Sequence, residues 1–369
     1  MPTLSELAPK ALQVLHDAQS PIGTRAAVVP MANYQAVFCR DAVVTGLQGL
    51  MEHDSIRSEG LKTSLQTLRN HQGAQGQIPS NVRLEAGQLK VSFGRLSPKI
   101  DSVSWYVLGC AKLVQHGESA PGPWLNSMQS AIALLETLEF NGSNLIYIPR
   151  GGNWADEYLT EGYTLFDQAL RAWSLLEAGR TFNQPDWIRK SNLILDVLTS
   201  HYVLESGLFA SSLLPGTVDR RMDLAGHCVL AMATEPGTPA VVRALKVISD
   251  NTILKGQLPP AFLPVIYPED PNWSALEGFH LFGMKNKPHH YHNGGIWWIW
   301  TAWYALALQR HGLKAELHVL LELAESVLIS NTNFDFEEYL TSDTLAAGGT
   351  PKLCFTATGI RILHFIKNE

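Results

Sequence analysis

Apolar residues recur at the three-to-four spacing of a helix face along most of this chain. Leu4, Leu7, Ala11, Leu12 and Leu15 form one such stripe, and Leu317, Leu320, Leu321, Ala324, Val327 and Leu328 form another. Similar stretches run over 40–53, 57–70, 101–116, 124–139, 159–179, 185–203, 220–234, 238–250, 293–311 and 351–367, so the pattern predicts about twelve helices. Strand-like alternation is confined to 88–93 and 144–148. Twelve helices in sequential pairs without a linker predict an all-α fold, the (α/α)6 barrel, as one domain over residues 1–369. In that fold six inner helices form a wall, six outer helices cover it, and the loops at one end enclose a pocket. An α-solenoid is the competing architecture, but no repeat of solenoid length is visible. Three loops, 71–100, 141–158 and 254–292, are too long and too rich in Gly, Pro and aromatic residues to be plain connections.

Composition narrows the class. At 46% hydrophobic and 17% charged, 369 residues can bury a large core. The net charge is −6 and no Lys/Arg block stands out, which argues against nucleic acid as a partner. Cys39, Cys110, Cys228 and Cys354 are widely separated, so neither a zinc site nor a disulfide framework is expected. The first twenty residues read as an amphipathic helix rather than a secretory leader, and no apolar run is long enough to span a membrane. A soluble, cytoplasmic protein is therefore expected, with homo-oligomerisation left open.

The chemistry concentrates in a few segments. Tyr291-His292-Asn293-Gly294-Gly295-Ile296-Trp297-Trp298-Ile299-Trp300 sets imidazole, amide, paired glycines and indoles at the mouth of an apolar helix. Aromatic faces stack on sugar rings, Asn and His address hydroxyls, and glycines let a backbone approach a ligand. This points to carbohydrate, although an aromatic-rich buried helix start would look the same. Glycosidic hydrolysis needs two carboxyl groups flanking the anomeric carbon. Asp101 stands where a Pro-containing loop meets an apolar helix, a position equally suited to a helix cap. Glu338 follows Asp335 and Glu337 among aromatics, in what would also pass for a solvated turn. Arg40-Asp41, with Tyr34 upstream, can clamp sugar hydroxyls or form a surface ion pair. Gly151-Gly152-Asn153-Trp154-Ala155-Asp156-Glu157-Tyr158 reads as a sugar-binding loop, while Gln77 and Asp223 are weaker candidates. There is no nucleophile elbow, P-loop or H-E-x-x-H, and His289, His290 and His292 lack evident co-ligands. No metal and no cofactor are expected.

These segments, in this order, resemble the alkaline/neutral invertases of glycoside hydrolase family 100, and more distantly other (α/α)6 glycosidases of the debranching and trehalase types. Tyr34 to Asp41 is similar to the family's Y-N-Q-V-F-V-R-D, and Gly94-Arg95 through Asp101-Ser102-Val103-Ser104-Trp105 to its G-R-V-A-P-V-D-S-G-L-W with one residue inserted. Arg221-Met222-Asp223 resembles R-M-D, Tyr291 to Trp297 resembles Y-H-N-G-G-S-W, and Phe336 to Tyr339 lies where the family has W-P-E-Y. The resemblance implies a hydrolase of small glycosides such as sucrose, with Asp101 as general acid and Glu338 as general base of an inverting mechanism. Tyr34, Arg40, Asp41, Gln77, Trp105, Trp154, Asp156, His292, Asn293, Trp297 and Lys352 would then contact the sugar. Inversion needs the two carboxyls roughly 6.5–9.5 Å apart, and the acid needs a raised pKa. The chain also departs from the family. Trp154-Ala155-Asp156-Glu157 replaces M-D-R-R, Pro351-Lys352 stands near the family's Q-A-R, and Thr356-Ala357-Thr358 replaces Q-T-W. These changes leave other glucosides, glucosylglycerate-like solutes or short α-glucans open as substrates. A sugar epimerase built on the histidines and a non-catalytic sugar-binding protein are the readings from other classes.

Overall fold

Helices of two kinds alternate along the chain. The computed structural model describes residues 3–31 and 33–369. Within them run α1 (Leu4–Asp17), α2 (Cys39–Met51), α3 (Ser55–Asn70), α4 (Asp101–Gln115), α5 (Leu125–Glu136), α6 (Leu165–Thr181) and α7 (Pro185–His201). They are followed by α8 (Leu224–Ala233), α9 (Pro239–Asn251), α10 (Trp273–Glu277), α11 (Trp298–Arg310), α12 (Lys314–Ser330) and α13 (Cys354–Lys367). Twelve correspond to the expected helices, and the short α10 is an addition within the 254–292 loop.

Helices α1, α3, α5, α7, α9 and α12 each bury one face. In α9 the buried set is Val241, Ala244, Leu245, Ile248 and Ser249, a single stripe. Helices α2, α4, α6, α8, α11 and α13 are buried on nearly all sides; in α6 every residue from Leu165 to Gly179 except Glu177 is buried. An all-round apolar helix must be covered on every flank, and the contacts show how. Helix α2 packs on α4, α4 on α6, α6 on α8, α8 on α11, α11 on α13, and α13 returns to α2, closing a ring. Each one-sided helix covers a ring member: α1 on α13, α3 on α2, α5 on α4, α7 on α6, α9 on α8 and α12 on α11. The α11–α13 crossing is close enough that a Cβ at Gly359 would lie 2.5 Å from the Trp298 carbonyl oxygen, so only glycine fits there.

The strand expectations need correction. Twelve short strands make five small antiparallel sheets among the described residues, so the chain is mostly rather than wholly helical. Gln88–Ser92 is a strand, paired with Asn81–Glu85. The 144–148 segment makes only an isolated antiparallel bridge, Ile148 to Gly162. At Ile146 buried Gln168 takes the place of a partner strand: its Oε1 accepts from Ile146 N at 3.0 Å and its Nε2 donates to Ile146 O at 2.8 Å. Short strands at Val37–Phe38, Tyr163–Thr164 and Met222–Asp223 run straight into α2, α6 and α8. They delay the starts of α6 and α8 relative to the apolar pattern.

Candidate active site

The ring helices place carboxylates in their first turns. Asp41 in α2, Asp101 in α4 and Asp167 in α6 are all buried, and Asp223 caps α8 by accepting from Gly226 N at 2.9 Å. Asp101 is not a cap. The N-cap of α4 is Ile100, and Asp101 Oδ2 has no hydrogen-bond partner among the described residues. Its neighbour is Arg40, whose Nη1 lies 3.6 Å away while its Nη2 lies 3.2 Å from Asp41 Oδ2. The Arg40–Asp41 pair is thus largely enclosed rather than a surface ion pair. Burial pushes the Asp101 carboxyl up to about 6 despite the opposing pull of Arg40 and Lys99. That direction suits a proton donor.

Glu338 lies at the same end. It is 7% exposed. Tyr34 Oη is 3.0 Å from both of its carboxylate oxygens, and Thr350 N donates to Oε2 at 3.2 Å. Gly349 stands beside it at φ +79°, where a Cβ would meet Glu338 Oε2 at 2.4 Å, so a side chain would displace the carboxylate. Burial raises Glu338 to about 7, and the donors from Thr350 and Tyr34 only partly offset this. Residues 34–40 therefore tie the two carboxyls together, Tyr34 holding Glu338 and Arg40 facing Asp101.

Asp156 sits between them electrically: its negative charge raises Asp41, Asp101 and Glu338 alike. Asp156 itself is held below its ordinary value, since Lys99 and Arg40 outweigh its burial. Lys99 donates to Asp156, to Gly151 O at 2.6 Å and to Asn153 O at 2.9 Å, and so fixes the 151–158 loop against the start of α4. Glu157 ties that loop to the next one, accepting from Leu281 N at 3.0 Å, while Asn286 Nδ2 donates to its backbone oxygen at 2.7 Å.

His292 is buried with neither ring nitrogen hydrogen-bonded among the described residues. It stacks on Trp297 at 5.0 Å and meets Trp154 edge-on at 4.7 Å. Burial holds it well below the ordinary histidine value, hence neutral. The turn presenting it carries positive φ at His289, Tyr291 and Gly294. That strained backbone is braced by Asn286 Oδ1 accepting from His292 N at 3.0 Å.

A cavity of about 280 Å³ opens over this floor, lined among others by Phe38, Arg40, Lys99, Asp101, Asp156 and Glu157. Of the expected sugar contacts only Arg40 and Asp156 line it; Tyr34, Asp41 and His292 are buried or half-buried beside it without lining it, and the others lie further off. Asn293 is wholly buried and spends its amide on Ile266 N, Ile266 O and Asn286 O, bracing the loop from behind. Trp105 is packed between ring helices, edge-on to Trp303 at 5.8 Å, with no free face for a sugar. Trp154 and Trp297 are buried in the aromatic cluster under His292. Gln77 accepts from Gln75 N inside its own turn, and Lys352 is exposed away from the cavity. The histidines diverge: His289 bonds Tyr267 and Ser342, and His290 approaches Tyr339. No group of three metal-capable side chains occurs among the described residues. Lys99 and Lys285 line the cavity and Asp167 is buried beneath its end of the ring, and none of the three was expected. Asp167 had a legible signal, a lone acid in the first turn of an apolar helix, shared with Asp41 and Asp101.

The family profile of alkaline and neutral invertases matches residues 178–351. No protein of curated function matches the chain in sequence. Among solved structures, a rhamnosidase from Klebsiella oxytoca with rhamnose bound superimposes with a TM-score of 0.70 at 11% identity, over 98% of this chain and 63% of that one. This chain thus spans under two thirds of that protein. A wild-type glycosidase gives 0.71 at 13% identity over 99% and 97%. The mannosylglycerate hydrolase of glycoside hydrolase family 63 from Thermus thermophilus, in complex with glucose, gives 0.66 at 15% over 97% and 99%. At such identities the likeness is one of fold. The chain is similar to the alkaline and neutral invertases over residues 178–351, and to glycosidases of the six-hairpin type in fold along nearly its whole length.

Proposed function

We propose that the protein is a single-domain (α/α)6-barrel glycoside hydrolase that cleaves a small glycoside with inversion. The closed ring of six helices with six covering helices supports the barrel reading. A cytoplasmic location is supported by four buried, free cysteines; no described helix is long and apolar enough to cross a membrane. Asp101 protonates the glycosidic oxygen, and Glu338 takes the proton of a water attacking from the opposite face. Arg40, Asp41, Asp156 and His292 hold the sugar between them. The observation that carries this reading is the pair of buried carboxyls, both raised toward neutrality and bridged by residues 34–40 at the cavity end of the ring. Sucrose is the substrate that the family likeness favours. Another disaccharide, or a glucoside of a small solute, is favoured instead by the acidic Asp156-Glu157 in the sugar loop.

The test is sugar release from sucrose, trehalose, maltose, glucosylglycerate and maltotriose by wild type, Asp101→Asn and Glu338→Gln. A hydrolase cleaves one member and loses about a hundredfold to ten-thousandfold in both variants. Sugar release surviving in both variants would refute the Asp101/Glu338 assignment, whereas no release by wild type together with interconversion of a free sugar would point to an epimerase built on the histidines. An NMR spectrum of the first-formed anomer reads out inversion directly.

A further inference from the structure

The protein carries a net charge of −6, yet the cavity wall is rich in cations. At the floor the cations are already engaged: Asp101 and Asp41 face Arg40, Lys99 is engaged by Asp156, and Glu157 adds a further carboxylate. The rim differs. Lys90 from the 81–92 hairpin, Arg95 from the loop before α4 and Lys285 from the 279–286 loop all line the cavity, and all are exposed. Among the described residues no carboxylate forms a close ion pair with any of the three, although Lys285 is near enough to Glu338 to pull its carboxyl down. Arg83, on the same hairpin, pairs with Glu85 at 2.9 Å.

Two of these cations are oriented. The Arg95 guanidinium lies 5.2 Å above the Phe282 ring, and the Lys285 ammonium lies 5.2 Å from the Tyr291 centroid. Aromatic faces hold cations without neutralising them, leaving the N–H groups available to a ligand. The cavity is also one-sided: Asp101 lines it and Glu338 does not. If Asp101 is the acid, this space receives the group that departs with the protonated oxygen. We propose that Arg95, Lys90 and Lys285 form an anion subsite, and that the leaving group of the substrate carries a carboxylate or a phosphate. The assignment to the leaving-group side rests on the hydrolase reading above; the anion subsite itself does not.

The test compares 2-O-α-D-glucosylglycerate with 2-O-α-D-glucosylglycerol, which differ by a carboxylate in place of a hydroxymethyl. At low salt the anionic glycoside should be preferred by about tenfold or more in kcat/KM, and the preference should shrink at about 0.5 M NaCl as screening takes hold. Arg95→Ala and Lys285→Ala should each remove most of that preference, chiefly through KM. Equal cleavage of the two glycosides, or a preference untouched by both variants, overturns the proposal and leaves the hydrolase reading intact. If neither is cleaved, calorimetric titration of wild type and Arg95→Ala with free glycerate, glycerol 3-phosphate and glycerol decides the matter. Anion binding weakened by Arg95→Ala supports the subsite, and the tighter of the two anions names its chemistry. Anions binding no better than glycerol overturn it.

Discussion

Asp167→Asn should make the protein more stable, increasingly so as the pH rises. Asp167 is 2% exposed and has no cationic partner among the described residues. Its Oδ2 accepts from Asn153 Nδ2 at 2.8 Å and from Thr164 Oγ1 at 2.6 Å, while Oδ1 is without a partner among the described residues. Burial and the nearby charge of Asp101 raise it from 3.8 to about 8. The folded state therefore holds this proton more tightly than the unfolded chain does. Folding stability falls as pH climbs from about 4 to about 8 and then levels off, at about 1.4 kcal/mol per pH unit. At pH 7 the accumulated cost is about 4 kcal/mol. Asparagine keeps the shape and an acceptor for the two donors but never ionises. One unpartnered amide edge costs back about 1 kcal/mol. The net gain is about 3 kcal/mol at pH 7–8 and close to zero or slightly negative at pH 4.5, a rise of roughly 5 °C in Tm at the higher pH. Thermal melts of wild type and variant at pH 4.5 and 8 check this. Equal shifts at both pH values, or a loss at pH 8, would refute the claim that burial keeps Asp167 protonated.

Three further outcomes follow from the site. The cycle needs Asp101 protonated and Glu338 ionised. With Asp101 at about 6 and Glu338 at about 7, that form is the minor one of the two singly protonated forms, so kcat/KM should trace a low, narrow bell with limbs near those two values; a flat profile from pH 4 to 9 would rule this pair out. Tyr34→Phe removes the hydroxyl that lowers Glu338, so the alkaline limb of that bell should move to higher pH and the maximum should fall. Asn293→Ala strips three bonds from buried backbone groups behind His292 and should cost about 2–4 kcal/mol. Its effect would be read as a lower denaturation midpoint together with reduced kcat/KM.

The sequence alone determined the twelve main helices, because apolar periodicity is a local property that burial of one face or of all faces writes directly into the chain. It also marked the segments around Asp101, Glu338 and Tyr291–Trp297, since acids and indoles beside glycine are conspicuous wherever the chain later folds. Tertiary structure decided which of these groups carry the chemistry. Local pattern allowed Asp101 to be a cap. Only the packing of α4 within the ring, which keeps water away and outweighs the opposing pull of Arg40, makes it a carboxyl near neutrality. Asn293 and Trp105 look like sugar contacts in one dimension, yet the fold turns them into a backbone brace and a core side chain. Lys352 follows the family order but comes to rest in solvent. The physical reason is common to all four. Helix formation depends on neighbours a turn away in sequence, whereas desolvation, pairing and access depend on residues that only closure of the ring brings together.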